Sequence, residues 1–295
     1  LGVDAAKHPI EFSIGIGPLV LLAHDYSAHE ASGNLWVYQT PKSLPNDLLT
    51  AVTGSYGKSV SVTYSLLSNL SGAINYGILG TGPIKPNIFS DYATTSSLID
   101  FGNGLNRRTT YSYQDARLFI GSVGDRKSLG FASMRTTDET TGRYSIQFQN
   151  QTTSDLAMTA RRIESYNSDG SLKSSKDLLY SPQTSIFGTK ILNLVSTTTQ
   201  YFQNGNPLLS VIESNIYDSY GNTTSTTSSY NSGSLVEVAT ASFSIDTGNW
   251  ILDRATGTGV TVNGTLIEQK KTFYNSADVT EEHTLVNPGV WSIRK

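Results

Sequence analysis

Cysteine is absent from this chain. There are therefore no disulfides, no thiolate zinc site and no cysteine nucleophile. A secreted chain without disulfides points to a bacterial exporter or to a large shell that needs no staples, although the same absence fits the cytosol. Charge is also scarce: charged residues make up 15% of the chain and the net charge is −3. No Lys/Arg cluster is denser than Arg107-Arg108 or Arg161-Arg162, so the basic stripe of a nucleic-acid binder is missing. Long apolar runs are missing too. The most apolar stretch, Ile14 to Ala23, is too short to span a bilayer and is interrupted by Pro18. It reads as a buried strand pair rather than a signal peptide, since no cleavage site follows it. No segment carries a helical stripe over three turns; at most, Asp47 to Thr53 holds one helical turn. The first residue is Leu, which reads as a chain cut from a longer one.

What the chain has in abundance is hydroxyls. Ser and Thr make up about a quarter of its 295 residues, well above ordinary usage, and Tyr occurs 16 times. Thr and Tyr favour strands, while Ser, Asn and Gly favour turns. Period-two alternation follows. Val60, Val62, Tyr64 and Leu66 alternate with Ser59, Ser61, Thr63 and Ser65. Tyr144, Ile146 and Phe148 alternate with Arg143, Ser145, Gln147 and Gln149, and Ala239, Ala241, Phe243 and Ile245 alternate with hydroxyl residues. These are strands with one packed and one wet face, expected in antiparallel sheets. Asn263-Gly264 and Asn204-Gly205 each separate two such runs and read as hairpin turns. The length suffices for one large β domain or two ordinary ones.

One unit recurs. "SYNSDGSLKSS" starts at Ser165, "IYDSYGNTTST" at Ile216, "SYNSGSLVEV" at Ser229 and "FYNSADVTEEH" at Phe273. Each is an aromatic, then Asn or Asp, then a short polar turn, then a new strand. The pairs are Tyr166-Asn167, Tyr217-Asp218, Tyr230-Asn231 and Tyr274-Asn275; Gly221 and Asn222 complete the second turn. The Tyr ends a strand and lays its ring on the sheet. The Asn or Asp side chain bonds the backbone of the turn, and Gly supplies positive φ. Hairpin repeats of this kind build sheets by stacking on one another.

"YDSYGNTT" resembles the YD repeat of the Rhs family. "NDLLTAVTGSYGKSVSVTY" (from Asn46) resembles the segment that follows the propeller repeats in SpvB/TcdB-type toxin proteins. Residues 100–142 resemble the middle region of the same proteins: a Y-x-Y strand at Tyr111 and Tyr113, an Arg-x-x-LGF turn at Arg126, Leu129, Gly130 and Phe131, and a hairpin at Asp138 and Gly142. "TGNWILDRAT", with Trp250, resembles the W-L-L-G-R stretch, Asp253 standing where Gly is usual. The resemblance implies an all-β fold of antiparallel YD-type hairpins forming a curved sheet, one part of a hollow shell. It divides the chain into N-terminal strands at 1–45, a middle-like region at 46–160 and a YD-repeat-like shell segment at 161–295. It implies a secreted bacterial protein, extracellular or held at the cell surface, whose partners are the remainder of a longer shell chain or a C-component-like protein, with an enclosed toxic polypeptide as cargo. It implies no catalytic residue here, because nothing matches the self-cleaving aspartate pair or the toxic domain.

Other clusters read as ordinary surface. His24, Asp25, His29 and Glu30 lie close together, but the spacing matches no zinc motif. Gly77, Gly80 and Gly82 lack the helix that a phosphate loop needs. Glu281 and His283 share a strand face and read as a solvated edge rather than an acid/base pair. No cofactor, metal, nucleic acid or membrane span is expected. The rival reading is a cell-surface adhesin or another carbohydrate- or protein-binding β module; a weaker one is a carbohydrate-active enzyme, marked by two acidic residues across a cleft.

Overall fold

The computed structural model describes residues 9–11, 21–24, 35–38, 48–53, 58–75, 83–87, 92–121, 126–275, 278–287 and 289–294. Apart from short 3-10 turns, the regular elements among them are strands, and every strand pairing is antiparallel. The chain forms two compact units, residues 1–126 with 134–142, and residues 127–133 with 143–295.

In the first unit, β1 (Pro9–Glu11), β2 (Leu21–His24) and β3 (Leu35–Tyr38) form a small meander. A second sheet is built from β4 (Ala51–Thr53), β5 (Ser59–Leu66), β6 (Ile84–Pro86), β7 (Tyr92–Asp100) and β8 (Asn106–Ile120). Its order is β4-β5-β7-β8-β6. The described residues of the stretch that could at most hold a helical turn, 48–53, do not form one: Ala51–Thr53 is a strand, because β5 offers it a ladder and the Val62 N–H donates to the Thr50 carbonyl at 2.8 Å. Leu67, Ala73, Ile74, Ala93, Tyr113, Ala116 and Leu118 are buried and form this unit's core. Arg117, itself buried, is neutralised by Asp115 at 2.8 Å. Residues 14–20 of the apolar stretch, the His24–Glu30 cluster beyond His24, and Gly77, Gly80 and Gly82 lie outside the described residues.

β9 (Arg126–Asp138) contributes to both units. The second unit continues as an eleven-stranded meander: β10 (Tyr144–Gln149), β11 (Ala160–Tyr166), β12 (Leu172–Thr184), β13 (Lys190–Gln203), β14 (Asn206–Tyr217), β15 (Thr223–Tyr230), β16 (Leu235–Asp246), β17 (Ile251–Val262), β18 (Thr265–Asn275), β19 (Asp278–Asn287) and β20 (Val290–Arg294). Each strand pairs with the next in sequence. The 14 residues of β13 span about 45 Å, well beyond the usual strand. All of these ladders except β15–β16 carry a register shift, and such bulges bend and twist the strands they interrupt. The alternation read for Ala239–Ile245 is present: these apolar residues are half-buried, and Thr240, Ser242 and Ser244 are exposed.

The meander has almost no interior. Leu129 is the one buried hydrophobic side chain among the described residues of this unit; Ser133, Ser175, Ser185, Asn193 and Thr197 are buried polar ones. From β14 to β20 no described residue is buried. A globular domain buries one sheet face against a second layer. Here both faces stay partly open, so this stretch is a single layer.

Both Asn-Gly turns are formed. Gln203 pairs with Asn206 and Val262 with Thr265, and the two residues between have φ of 52° and 79° in one turn and 48° and 79° in the other. Positive φ at both central positions is the turn whose twist matches paired strands. Gly264→Ala is expected to cost about 1 kcal/mol from backbone strain, since a Cβ there meets no other atom. Urea unfolding followed by circular dichroism reads this as a lowered midpoint at unchanged slope.

Candidate functional site

Two of the recurring Tyr-Asx hairpins, at Tyr166-Asn167 and Tyr217-Asp218, share one backbone closure. In the turn after β14, the Asp218 N–H donates to the Asn222 carbonyl at 3.0 Å and the Gly221 N–H to the Asp218 carbonyl at 3.2 Å. Asn167–Ser171 closes in the same way, with Gly170 in Gly221's place. So does Ser185–Thr189, with Gly188, a turn that sequence reading missed. Its signal is a small polar residue followed three positions later by Gly; the intervening Ile186 and Phe187 hide it.

Side chains lock these turns differently. Asp218 Oδ1 accepts the N–H groups of Tyr220 at 2.8 Å and Asn222 at 2.9 Å, while Oδ2 accepts the Asn222 amide at 2.9 Å. Burial works to raise this carboxyl's pKa, but the bonds from the Asn222 side chain and from the backbone of Asn222, Tyr220 and Gly221 outweigh it and hold it below its ordinary value. In the Asn167 turn the lock is Asp169, whose Oδ1 takes the Ser171 N–H at 2.8 Å; Asn167 donates to Ser171 Oγ at 2.9 Å. Asn231 does not bond its own turn. Residues 231–233 all have positive φ, and the Tyr230 carbonyl is satisfied by the Ser234 N–H at 3.1 Å and hydroxyl at 3.0 Å. Asn231 Oδ1 is left to take the Ser210 N–H of β14 at 3.2 Å. Asn275 pairs with Asp278 across the last of these hairpins.

The tyrosines act as latches between strands. Tyr217 donates to the Leu194 carbonyl at 2.8 Å and Tyr274 to the Ala255 carbonyl at 2.7 Å, each reaching the preceding strand. Tyr113 does the same to Thr94 at 2.7 Å, and its pKa is pushed up to about 12, by burial first and by Tyr111 second. Tyr166 stacks on Tyr144 with centroids 4.6 Å apart; its hydroxyl donates to Glu164 at 2.6 Å, and mainly for that reason its pKa is also pushed up to about 12. Tyr230 faces Val211 and Leu235 in the neighbouring ladders. Tyr217→Phe and Tyr274→Phe are each expected to cost about 1 kcal/mol, the net worth of one such bond, read as a shift in the urea midpoint.

Of the remaining sequence-marked residues, Tyr111 lies within β8, and Arg126, Leu129, Gly130 and Phe131 lie along β9 rather than at the expected turn, because the strand runs unbroken through them; Asp138, Gly142 and Trp250 lie at hairpin ends. Tyr111 shares a hydrogen bond with Ser97 at 3.2 Å. Arg126 opens β9, Leu129 is fully buried and Gly130 has φ of 74°. The Phe131 N–H donates to Gln149 Oε1 at 3.0 Å. Asp138 accepts the Thr140 N–H at 3.0 Å, pairs with Arg107 at 2.9 Å and receives the Gly142 N–H on its carbonyl at 2.8 Å. Trp250, 71% exposed with φ of 56°, lies 5.0 Å from the Phe187 ring, which lies 6.2 Å from Tyr220. The tips of the β12–β13, β14–β15 and β16–β17 hairpins thus meet in an aromatic rim.

Two shallow open grooves lie among the described residues. One, of about 540 Å³ in the first unit, is lined by Ser61, Thr63, Ser96, Leu98 and Asn106, with Arg108 and Glu139 paired at 3.5 Å. The other, of about 390 Å³ in the second unit, lies across β16, β17 and β18 and includes Arg254 and Tyr274. Glu281 and His283 are in contact on one strand face, packed beside Phe273 and Trp291. No group of three or more metal-ligating residues is found among the described residues.

Against solved structures, the meander and its hairpins find a counterpart. The crystal structure of TcdB2-TccC3 without its hypervariable C-terminal region matches 96% of this chain with a TM-score of 0.61 at 11% identity. This chain has a Tc-toxin-like fold. The crystal structure of TcdB2-TccC3-Cdc42 matches with a TM-score of 0.57 at 12% identity, again over 96% of the chain. In both cases this chain spans 20% of the length of the matched chain. No protein-family model and no curated protein sequence matches it significantly.

Proposed function

We propose that this chain is a wall segment of a secreted bacterial toxin shell of the Tc type, and that its work is enclosure of a toxic polypeptide rather than catalysis. The observation that carries the reading is the single layer. An eleven-stranded meander with strands up to 14 residues long and no buried residue among the described ones from β14 onward is suited to dividing two compartments. Its backbone is sealed by ladders, and its Tyr latches and locked turns stiffen it without a second layer. The fold likeness to TcdB2-TccC3 supports the same assignment. The remainder of a longer shell chain, or a C-component-like protein, completes the wall in this proposal. The segment itself uses no metal and no cofactor.

The test is electron microscopy of the full parent chain together with protease challenge. A hollow particle with this segment in its wall, and an enclosed polypeptide that is digested only after the shell is opened, is the expected result. A solid particle, or a polypeptide cleaved at the same rate with the shell closed, would overturn the proposal.

A further inference from the structure

Asn-Gly pairs are chemically self-reactive. The backbone nitrogen of the second residue attacks the side-chain carbon of the first, and glycine has no side chain to hinder it. The chain carries three such pairs, at Asn103, Asn204 and Asn263. All three are exposed, and each asparagine has the same next neighbour, so their local chemistry is alike. The fold treats them differently. Asn263 is clamped: its Oδ1 accepts the Val236 N–H at 2.9 Å, and its own N–H donates to the Val236 carbonyl at 2.8 Å. Asn103 is held within its loop, where its Oδ1 accepts the Leu105 N–H at 3.1 Å and the Leu105 carbonyl accepts the Phe101 N–H at 3.0 Å. The Asn204 side chain makes no hydrogen bond among the described residues.

Asn204 and Asn263 are a matched pair. Each opens a two-residue hairpin turn, with φ of 52° and 79° at one tip and 48° and 79° at the other. Ring closure between the glycine nitrogen and the asparagine side chain imposes backbone angles of its own, so the tight turn must open first. Neighbouring strands oppose that opening, and the two tips differ in their neighbours. Beside Asn263, β16 runs up to the turn: Glu237 pairs with Val262, and Val236 supplies the clamp. Beside Asn204 the sheet falls away. The ladder of β13 with β12 ends at Tyr201, and that of β14 with β15 ends at Val211, with one further bond from the Ser210 N–H to Asn231. Residues 202–209 therefore project as a lone two-stranded ribbon, with Gln203 to Leu208 all exposed. A lone hairpin is marginally stable in water, and local opening concentrates in such places.

We propose that Asn204 is a self-modification site, a deamidation centre whose only co-reactant is water. The Gly205 nitrogen gives its proton to solvent and bonds to Asn204 Cγ. The bond from Cγ to Nδ2 breaks, and ammonia leaves with a proton taken from solvent. Water then opens the cyclic imide at either carbonyl and yields aspartate or isoaspartate; nothing is oxidised or reduced. Either product adds a negative charge to the tip. Isoaspartate also adds a carbon to the main chain, so the two-residue turn cannot close as before and the β13–β14 ladder frays from that end. The proposal stands apart from the enclosure reading, because it rests on the hairpin tips and not on the wall.

The experiment is timed incubation of the full 295-residue chain at neutral pH and body temperature, once folded and once in concentrated urea. Proteolytic peptides are then weighed by mass spectrometry, and aspartate is separated from isoaspartate by chromatography. In the folded chain Asn204 should convert first, at least about fivefold faster than Asn263 or Asn103, which is the rate equivalent of one net hydrogen bond. In urea the clamp and the neighbours are gone, and the three rates should converge. Asn263 or Asn103 converting as fast as Asn204 in the folded chain would overturn the proposal, as would no conversion at Asn204. A lead for Asn204 that persists undiminished in urea would overturn it too, because local sequence and not the fold would then set the order.

Discussion

Leu129→Ala is expected to destabilise the fold by about 2–5 kcal/mol, while Ile216→Ala stays within about 0.5 kcal/mol of the parent. The two side chains are chemically alike, and position decides. Leu129 is 0% exposed and is the one fully buried large side chain among the described residues; Ile216 is 63% exposed on β14. Truncating Leu129 removes buried methyl groups and leaves a cavity whose walls relax only in part. The residue beside it tightens the site further. Gly130 has φ of 74°, and a Cβ there would come within 2.3 Å of Gln149 Oε1, the atom that accepts the Phe131 N–H. Urea unfolding followed by circular dichroism measures both substitutions. Equal costs would mean that the meander hides a second packed layer over Ile216, and the single-layer account would fail with it.

The strands were legible because alternation and turn chemistry agree locally. Ala239–Ile245 alternates and does so in the sheet, and the two Asn-Gly pairs force positive φ at both central positions. Ser185–Thr189 was not legible, since Ile186 and Phe187 at its tip look like strand rather than turn; only the Gly188 spacing betrays it. Asn231 was readable as a turn residue but not as a bond to β14, because that partner lies 21 positions away. The Arg254 groove was wholly hidden. Its lining comes from three strands whose registers shift by bulges, and a one-residue shift changes which face a side chain occupies. Alternation seen in one strand carries no information about its neighbour's register. Residues 51–53 show the limit from the other side: an isolated segment that suits a helical turn becomes a strand once β5 offers it a ladder.

Asp218→Ala is expected to cost about 2–3 kcal/mol near neutral pH, and progressively less as the solution is made acid. At neutral pH the carboxylate accepts two backbone N–H groups and one amide, and hydrogen bonds to an ionised acceptor are the stronger kind. Alanine leaves the N–H groups of Tyr220 and Asn222, both half-buried, without that acceptor. The Asn222 amide keeps its other bond, to the Leu252 carbonyl at 2.6 Å, so the turn loosens on one side while the link to β17 remains. Because the folded pKa lies below the ordinary value of 3.8, the carboxylate's contribution is present in full above about that pH, and it is lost as pH falls through the folded pKa. The parent therefore loses stability in acid, and the Ala variant loses less, so the two unfolding midpoints converge. Asp169 and Asp246 are shifted downward in the same direction, chiefly by side-chain bonds from Ser171 and Asn249. Asp138 is shifted down as well: burial opposes the shift, and the Thr140 backbone bond and Arg107 prevail. Four turns of the sheet thus share one acid-sensitive device, and acid should loosen them together. Midpoints that run parallel with pH for the parent and Asp218→Ala would show that this carboxylate is not part of it.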